Sequence, residues 1–116
     1  MERNIYIEIP INRMGLYGMT ENVSARDDKN IKVYEFTCEE EALLWPLFNE
    51  FNDAFYLFID DFEEEMMLVK QLPEAINITQ HFIANVNDAQ IKETALKVLE
   101  ALEFAQKLQM PVEFIF

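Results

Sequence analysis

Residues 60–65 place five carboxylates, Asp60, Asp61, Glu63, Glu64 and Glu65, around the ring of Phe62, directly behind the run Phe55, Tyr56, Leu57, Phe58 and Ile59. Paired carboxyls do acid and base chemistry when a cleft separates them and tunes them apart, as in glycosidases. A contiguous run forms one solvated acidic face instead, and this spacing favours that reading. The run also lacks the alternate ligand spacing and central glycine of a calcium loop, which leaves at most a weak magnesium or calcium contact. His81 and Cys38, each the only one of its type, cannot complete a zinc set. Ile78 stands three residues before His81, where a carboxylate-bridged di-iron bundle needs Glu. The expectation is no metal and no cofactor.

Nucleophiles are equally sparse. Ser24 is the only serine and has no G-x-S-x-G context. Cys38 falls at an expected helix start, where the dipole favours a thiolate, but Glu39, Glu40 and Glu41 follow it and push the other way. A Cys38 and His81 dyad is conceivable, but a lone cysteine is more often a packing residue. Gly15-Leu16-Tyr17-Gly18 has the G-x-x-G spacing of a nucleic-acid clamp without the Lys or Arg that would hold phosphate. The chain reads as a protein that is not an enzyme.

Charge narrows the partners. The 116 residues carry 22 acidic and 9 basic side chains, a formal net charge of -13. Binding DNA or RNA requires cations that displace condensed counterions, so nucleic acid is excluded and a basic protein is the natural partner. The start MERNIYIEIPI lacks the basic and apolar regions of a secretory signal, and no apolar run approaches the ~18 residues of a membrane span. A lone cysteine suits a reducing compartment, so the expected location is cytoplasmic, without a membrane. Asn77-Ile78-Thr79 matches the glycosylation triplet, which has no meaning there.

The elements that must position these groups follow from periodicity. Hydrophobic residues at 51% and only 2 Gly and 4 Pro allow one folded domain over 1–116. Residues 4–11 alternate, with Ile5, Ile7, Ile9 and Ile11 on one side, and predict a half-buried strand; Pro10 marks an edge or the strand's end. Residues 12–30 hold both glycines and read as a long connection or a wide hairpin loop. A strand over 31–37 leads into a helix opened by a capping box at Thr37 and Glu40, with Pro46 kinking or dividing it.

Leu44, Phe48, Phe51, Phe55, Phe58 and Phe62 recur at steps of four and three, which suits one long helix. Asn49, Asn52 and Asp53 oppose that helix, and a buried strand over 55–59 is the preferred alternative. Helices are expected over 63–72, over 73–86 and, most clearly, over 87–109 with Asn87 as its cap; residues 112–116 close with a strand. The class is α+β, a small mostly antiparallel sheet packed against several helices. Its core should contain Ile7, Val33, Phe48, Phe58, Val98, Leu102 and Phe114.

On this plan Asp60, Asp61, Phe62, Glu63, Glu64 and Glu65 form the candidate partner-binding set. They would emerge at a strand's end and in the first turn of the next helix. Phe62 has two readings, an exposed anchor among acids or a core side chain behind a solvated face. In size, charge and lack of catalytic motifs the chain resembles the immunity proteins that bacteria make against their own toxic nucleases, and DNA-mimicking inhibitors. The resemblance spans the whole chain and assigns no individual residue. It implies an inhibitor that covers the substrate-binding surface of a basic toxin or nuclease. A subunit or adaptor of a larger assembly, or a small enzyme using the acidic cluster, are the alternatives, and the oligomeric state is open.

Overall fold

The structure, a computed structural model, describes residues 5–20 and 29–116. Strand β1 (Ile5–Pro10) leads into helix α1 (Arg13–Thr20), and β2 (Ile31–Phe36) into α2 (Cys38–Phe55). After β3 (Glu64–Met67) and a 3-10 turn (Val69–Gln71) come α3 (Leu72–Asn85), α4 (Ala89–Leu108) and β4 (Val112–Ile115). The strands form one sheet in the order β2-β1-β4-β3, with every neighbouring pair antiparallel. This is an α+β fold, with β1 and β4 in the middle and β2 and β3 at the edges.

Register assigns the faces. Ile7 lies opposite Tyr34 on β2 and Phe114 on β4, so Ile5, Ile7, Ile9, Tyr34, Phe36, Val112 and Phe114 share the face covered by α2, α3 and α4. Phe48 is the centre of that packing: its ring meets Phe51, Phe114, Phe116 and Trp45 at centroid distances of 5.1 to 6.3 Å, mostly edge to face. Such pairs each add about 0.5–1.5 kcal/mol beyond the area they bury. Ile7, Phe48, Val98, Leu102 and Phe114 are core residues, as their periodicity predicts. Val33 is not, because the register turns it to the sheet's second face, where it packs against the small cluster of Met19 from α1 and Ile31. That helix packs against β1, and β1 is buried along its whole length rather than half-buried. Pro10 is its last residue, where a missing N–H interrupts no further pairing.

Much of the expected connection at 12–30 is helical. Asn12 caps α1: its carbonyl accepts from the amide of Leu16 at 3.1 Å and its side chain accepts from the amide of Gly15 at 2.9 Å. A second tie runs from the Asn12 side-chain amide to the Asn30 side-chain oxygen at 2.9 Å. Gly15 is required because a Cβ there would lie 2.0 Å from the Asn30 carbonyl oxygen. Gly15 and Gly18 thus lie within a helix rather than in a clamp loop, and Gly15 serves close packing against Asn30. Ser24 and the rest of 21–28 lie outside the described residues.

The capping box at Thr37 is present. The Glu40 amide donates to the Thr37 hydroxyl at 3.0 Å and the Thr37 amide to the Glu40 carboxylate at 2.9 Å. Pro46 does not divide α2, which runs unbroken through it. Pro46 and Ala42, whose carbonyl loses its helical donor, both face outward, where water can serve that oxygen. α4 is capped by Asp88 rather than Asn87: its carboxylate accepts from the amides of Gln90 at 2.9 Å and Ile91 at 3.0 Å.

Candidate functional site

The acidic run and the aromatics before it lie on the connection from α2 to the edge strand β3, and both expectations for this region need correction. Residues 55–59 are not a strand, because Phe55 still belongs to α2 and no strand lies against Tyr56 to Ile59. Residues 63–72 are not a helix, because Glu64–Met67 completes the sheet against β4. Sheet pairing outweighs the helical composition of that stretch.

α2 ends at Tyr56, which takes the left-handed conformation (φ 55°, ψ 39°) and turns the chain out of the helix. Beyond it the side chains alternate. Leu57 packs against the core and Ile59 enters it at 2% exposure, while Tyr56 and Phe58 face solvent at 96% and 57%. Phe58 is therefore excluded from the core by the same alternation that admits its neighbours. Asn52 fixes the segment: its side-chain oxygen accepts from the Ile59 amide at 2.7 Å, and its NH2 donates to the Ile59 carbonyl at 3.1 Å.

A tight turn follows. The Glu63 amide donates to the Asp60 carbonyl at 3.1 Å, and the Asp61 amide to the Asp60 carboxylate at 2.7 Å. Phe62 sits in that turn with φ 65° and is 79% exposed, which removes its reading as a core side chain. Its amide donates to the Phe116 carbonyl, and the Phe116 amide donates to the Glu63 carbonyl, both at 3.1 Å. This pattern is that of a bulge whose first residue is left-handed, a place glycine usually fills. The candidate residues are thus partly gathered and partly separated. Asp60, Asp61, Phe62 and Glu63 share the turn, whereas Glu64 and Glu65, as successive residues of β3, point to opposite faces of the sheet.

Residue types alone locate the acids, but not Tyr56 and Phe58, which the structure adds to the surface. The signal for them is the i, i+2 placement of Leu57 and Ile59. Cys38 is exposed at the start of α2, and His81 is exposed on α3, where its ring nitrogen lies 3.3 Å from the Asn85 side chain. A concavity of about 460 Å³ beside α4 includes Glu40, Thr94, Lys97 and Glu100. Its Lys97 is already engaged, donating to the Glu35 carbonyl, lying 3.8 Å from Glu40 and standing 4.3 Å over the Phe36 ring. Among the described residues no group of three or more His, Cys, Asp or Glu is placed to hold a metal ion, and no helix is long and apolar enough to cross a membrane. No protein-family model, curated protein or solved structure matches the chain.

Proposed function

We propose that this protein is a binding module that uses the 56–63 turn and the adjoining edge strand to engage a basic protein, in the manner of a cytoplasmic immunity-type inhibitor covering the substrate-binding surface of a toxin or nuclease. One observation carries the reading. The two most exposed large hydrophobic side chains among the described residues, Tyr56 and Phe62, both occupy left-handed backbone positions. An L-residue there costs about 1–2 kcal/mol that glycine avoids, and an exposed ring gains little burial in return. Stability does not account for aromatic residues at these two points, whereas contact with a partner does.

The surroundings fit that use. Asp60, Asp61 and Glu63 are exposed in the same turn as Phe62, a composition that suits an apolar anchor with a charged rim. A net charge of -13 steers a cationic partner toward the domain and raises the rate of encounter.

A photo-crosslinking residue placed at Phe58, with Lys107 on α4 as the control position, tests the proposal in cells. The expected product is one adduct with a basic protein from position 58 and none from 107. Changing Asp60, Asp61, Glu63, Glu64 and Glu65 together to Asn and Gln should then slow association with that protein and flatten its salt dependence. Equal adducts from both positions, or an unchanged rate and salt slope, would move the interface elsewhere.

A further inference from the structure

The sheet's second face carries a feature unrelated to the aromatic turn. Register places Val33, Glu8, Glu113 and Met66 in one row across β2, β1, β4 and β3. The ends of the row, Val33 and Met66, pack against the cluster that Met19 of α1 forms with Ile31. Its centre is two carboxylates directly opposite one another on the two middle strands. Glu8 is only 4% exposed, and among the described residues it has no hydrogen-bond or ion-pair partner. Directly opposed residues of an antiparallel pair hold their Cβ atoms about 5 Å apart, which puts the Glu8 carboxyl within range of the Glu113 charge.

We propose that Glu8 is a proton-operated switch: protonated, it donates to the Glu113 carboxylate across β1 and β4 and lets α1 seat on the sheet; ionised, it faces like charge and loosens that seat. Among the described residues the groups around it agree on the sign. β4 presents Glu113, β3 presents Glu64, and β2 presents Val33 directly opposite with Glu35 one row away beside Tyr6. Lys32 is on the other face, over the Tyr34 ring, and the charged residue of α1, Arg13, is exposed. Burial first, then Glu113, then Glu64 raise the Glu8 carboxyl to about 7, and burial and then Glu64 raise Glu113 as well.

The linkage has a definite direction. Between the ordinary carboxyl value of 4.5 and about 7, the folded state holds a proton at Glu8 that the unfolded chain has released. Stability from this group is therefore complete below the lower value and lost as pH rises through the upper one, close to tenfold in the folding constant per pH unit between them.

Carboxyl-carbon NMR on the intact chain should show Glu8 titrating near neutrality, with amide exchange in α1 rising over the same interval beyond its ordinary base catalysis. Unfolding measured from about pH 5 to about pH 8 should lose one proton's worth of slope in Glu8→Gln and keep it in Glu103→Gln, which removes an exposed acid. Glu113→Gln should lower the Glu8 midpoint without abolishing it. A Glu8 carboxyl that titrates in the ordinary range overturns the switch, as does a Glu8→Gln protein with the parent's slope. α1 exchange that does not follow the Glu8 titration overturns the coupling to the helix.

Discussion

Asn52 holds Ile59 by both polar groups of that residue's backbone, accepting from its amide at 2.7 Å and donating to its carbonyl at 3.1 Å. Ile59 itself is in the core, so this pair pins the chain between the two exposed aromatics on one side and the acidic turn on the other. Asn52→Ala removes both bonds and leaves the Ile59 groups to find water. The expected loss is about 1–3 kcal/mol in denaturant unfolding, with the Ile59 amide exchanging faster than those of β1. Unchanged exchange at Ile59 would show that burial alone holds the segment.

Tyr56→Gly and Phe62→Gly separate recognition from stability. Each relieves a left-handed L-residue, at φ 55° and 65° respectively, so each variant should be as stable as the parent or gain up to about 1 kcal/mol in thermal unfolding. Partner binding should weaken by about 2 kcal/mol or more for Phe62→Gly, chiefly through faster dissociation. A variant that is destabilised and binds normally would assign the ring to the fold.

Gly15→Ala should do the opposite. Its new methyl would overlap the Asn30 carbonyl oxygen, a backbone atom also engaged by the amide of Ile11 at 2.9 Å. Neither side can yield cheaply, and a cost of about 1–3 kcal/mol is expected, read as a lower denaturant midpoint and faster exchange in α1. Retained stability would mean that α1 slides on the sheet.

Pro46→Ala restores an N–H to the middle of α2 opposite the Ala42 carbonyl. Both residues are exposed, so no packing is lost, and the variant should be more stable by as much as about 3 kcal/mol in chemical denaturation. A neutral result would indicate that water already serves the Ala42 oxygen as well as an amide would.

The parts legible from sequence are those where local pattern and tertiary packing agree. Ile5, Ile7 and Ile9 alternate and lie on one face; the Thr37 and Glu40 spacing forms the cap it implies; Val98, Leu102 and Ala105 form the buried side of α4. The stretch from Phe55 to Leu72 resisted reading because its signals point in different directions. The four-and-three spacing of phenylalanines continues past the end of α2, where Tyr56 has already left helical geometry. Glu64, Glu65, Met66 and Met67 have helical composition yet form a strand, since β4 offers an unpaired edge that only tertiary structure reveals. Val33 departs from its expected place for a related reason: it lies in the expected strand, but apolar side chains occupy both faces of the sheet, so hydrophobicity does not fix the phase. The acids of the candidate surface were visible as a run; the rings that flank them were not, because an exposed phenylalanine looks like a core residue in sequence.

The position of β4 bears on when the surface comes into being. It is the last strand in chain order, yet it fills the slot between β1 and β3. As the chain is synthesised, β1 and β2 can meet early, but β3 has no neighbour until residues 112–115 emerge. The bulge that orients Phe62 waits longer still, since its two backbone bonds are made to Phe116. Pairing of such widely separated segments is slow compared with helix formation. A nascent chain therefore carries the acidic run before its turn can order, because the strand partner and both backbone bonds of that turn come from residues 112–116, about fifty positions further along.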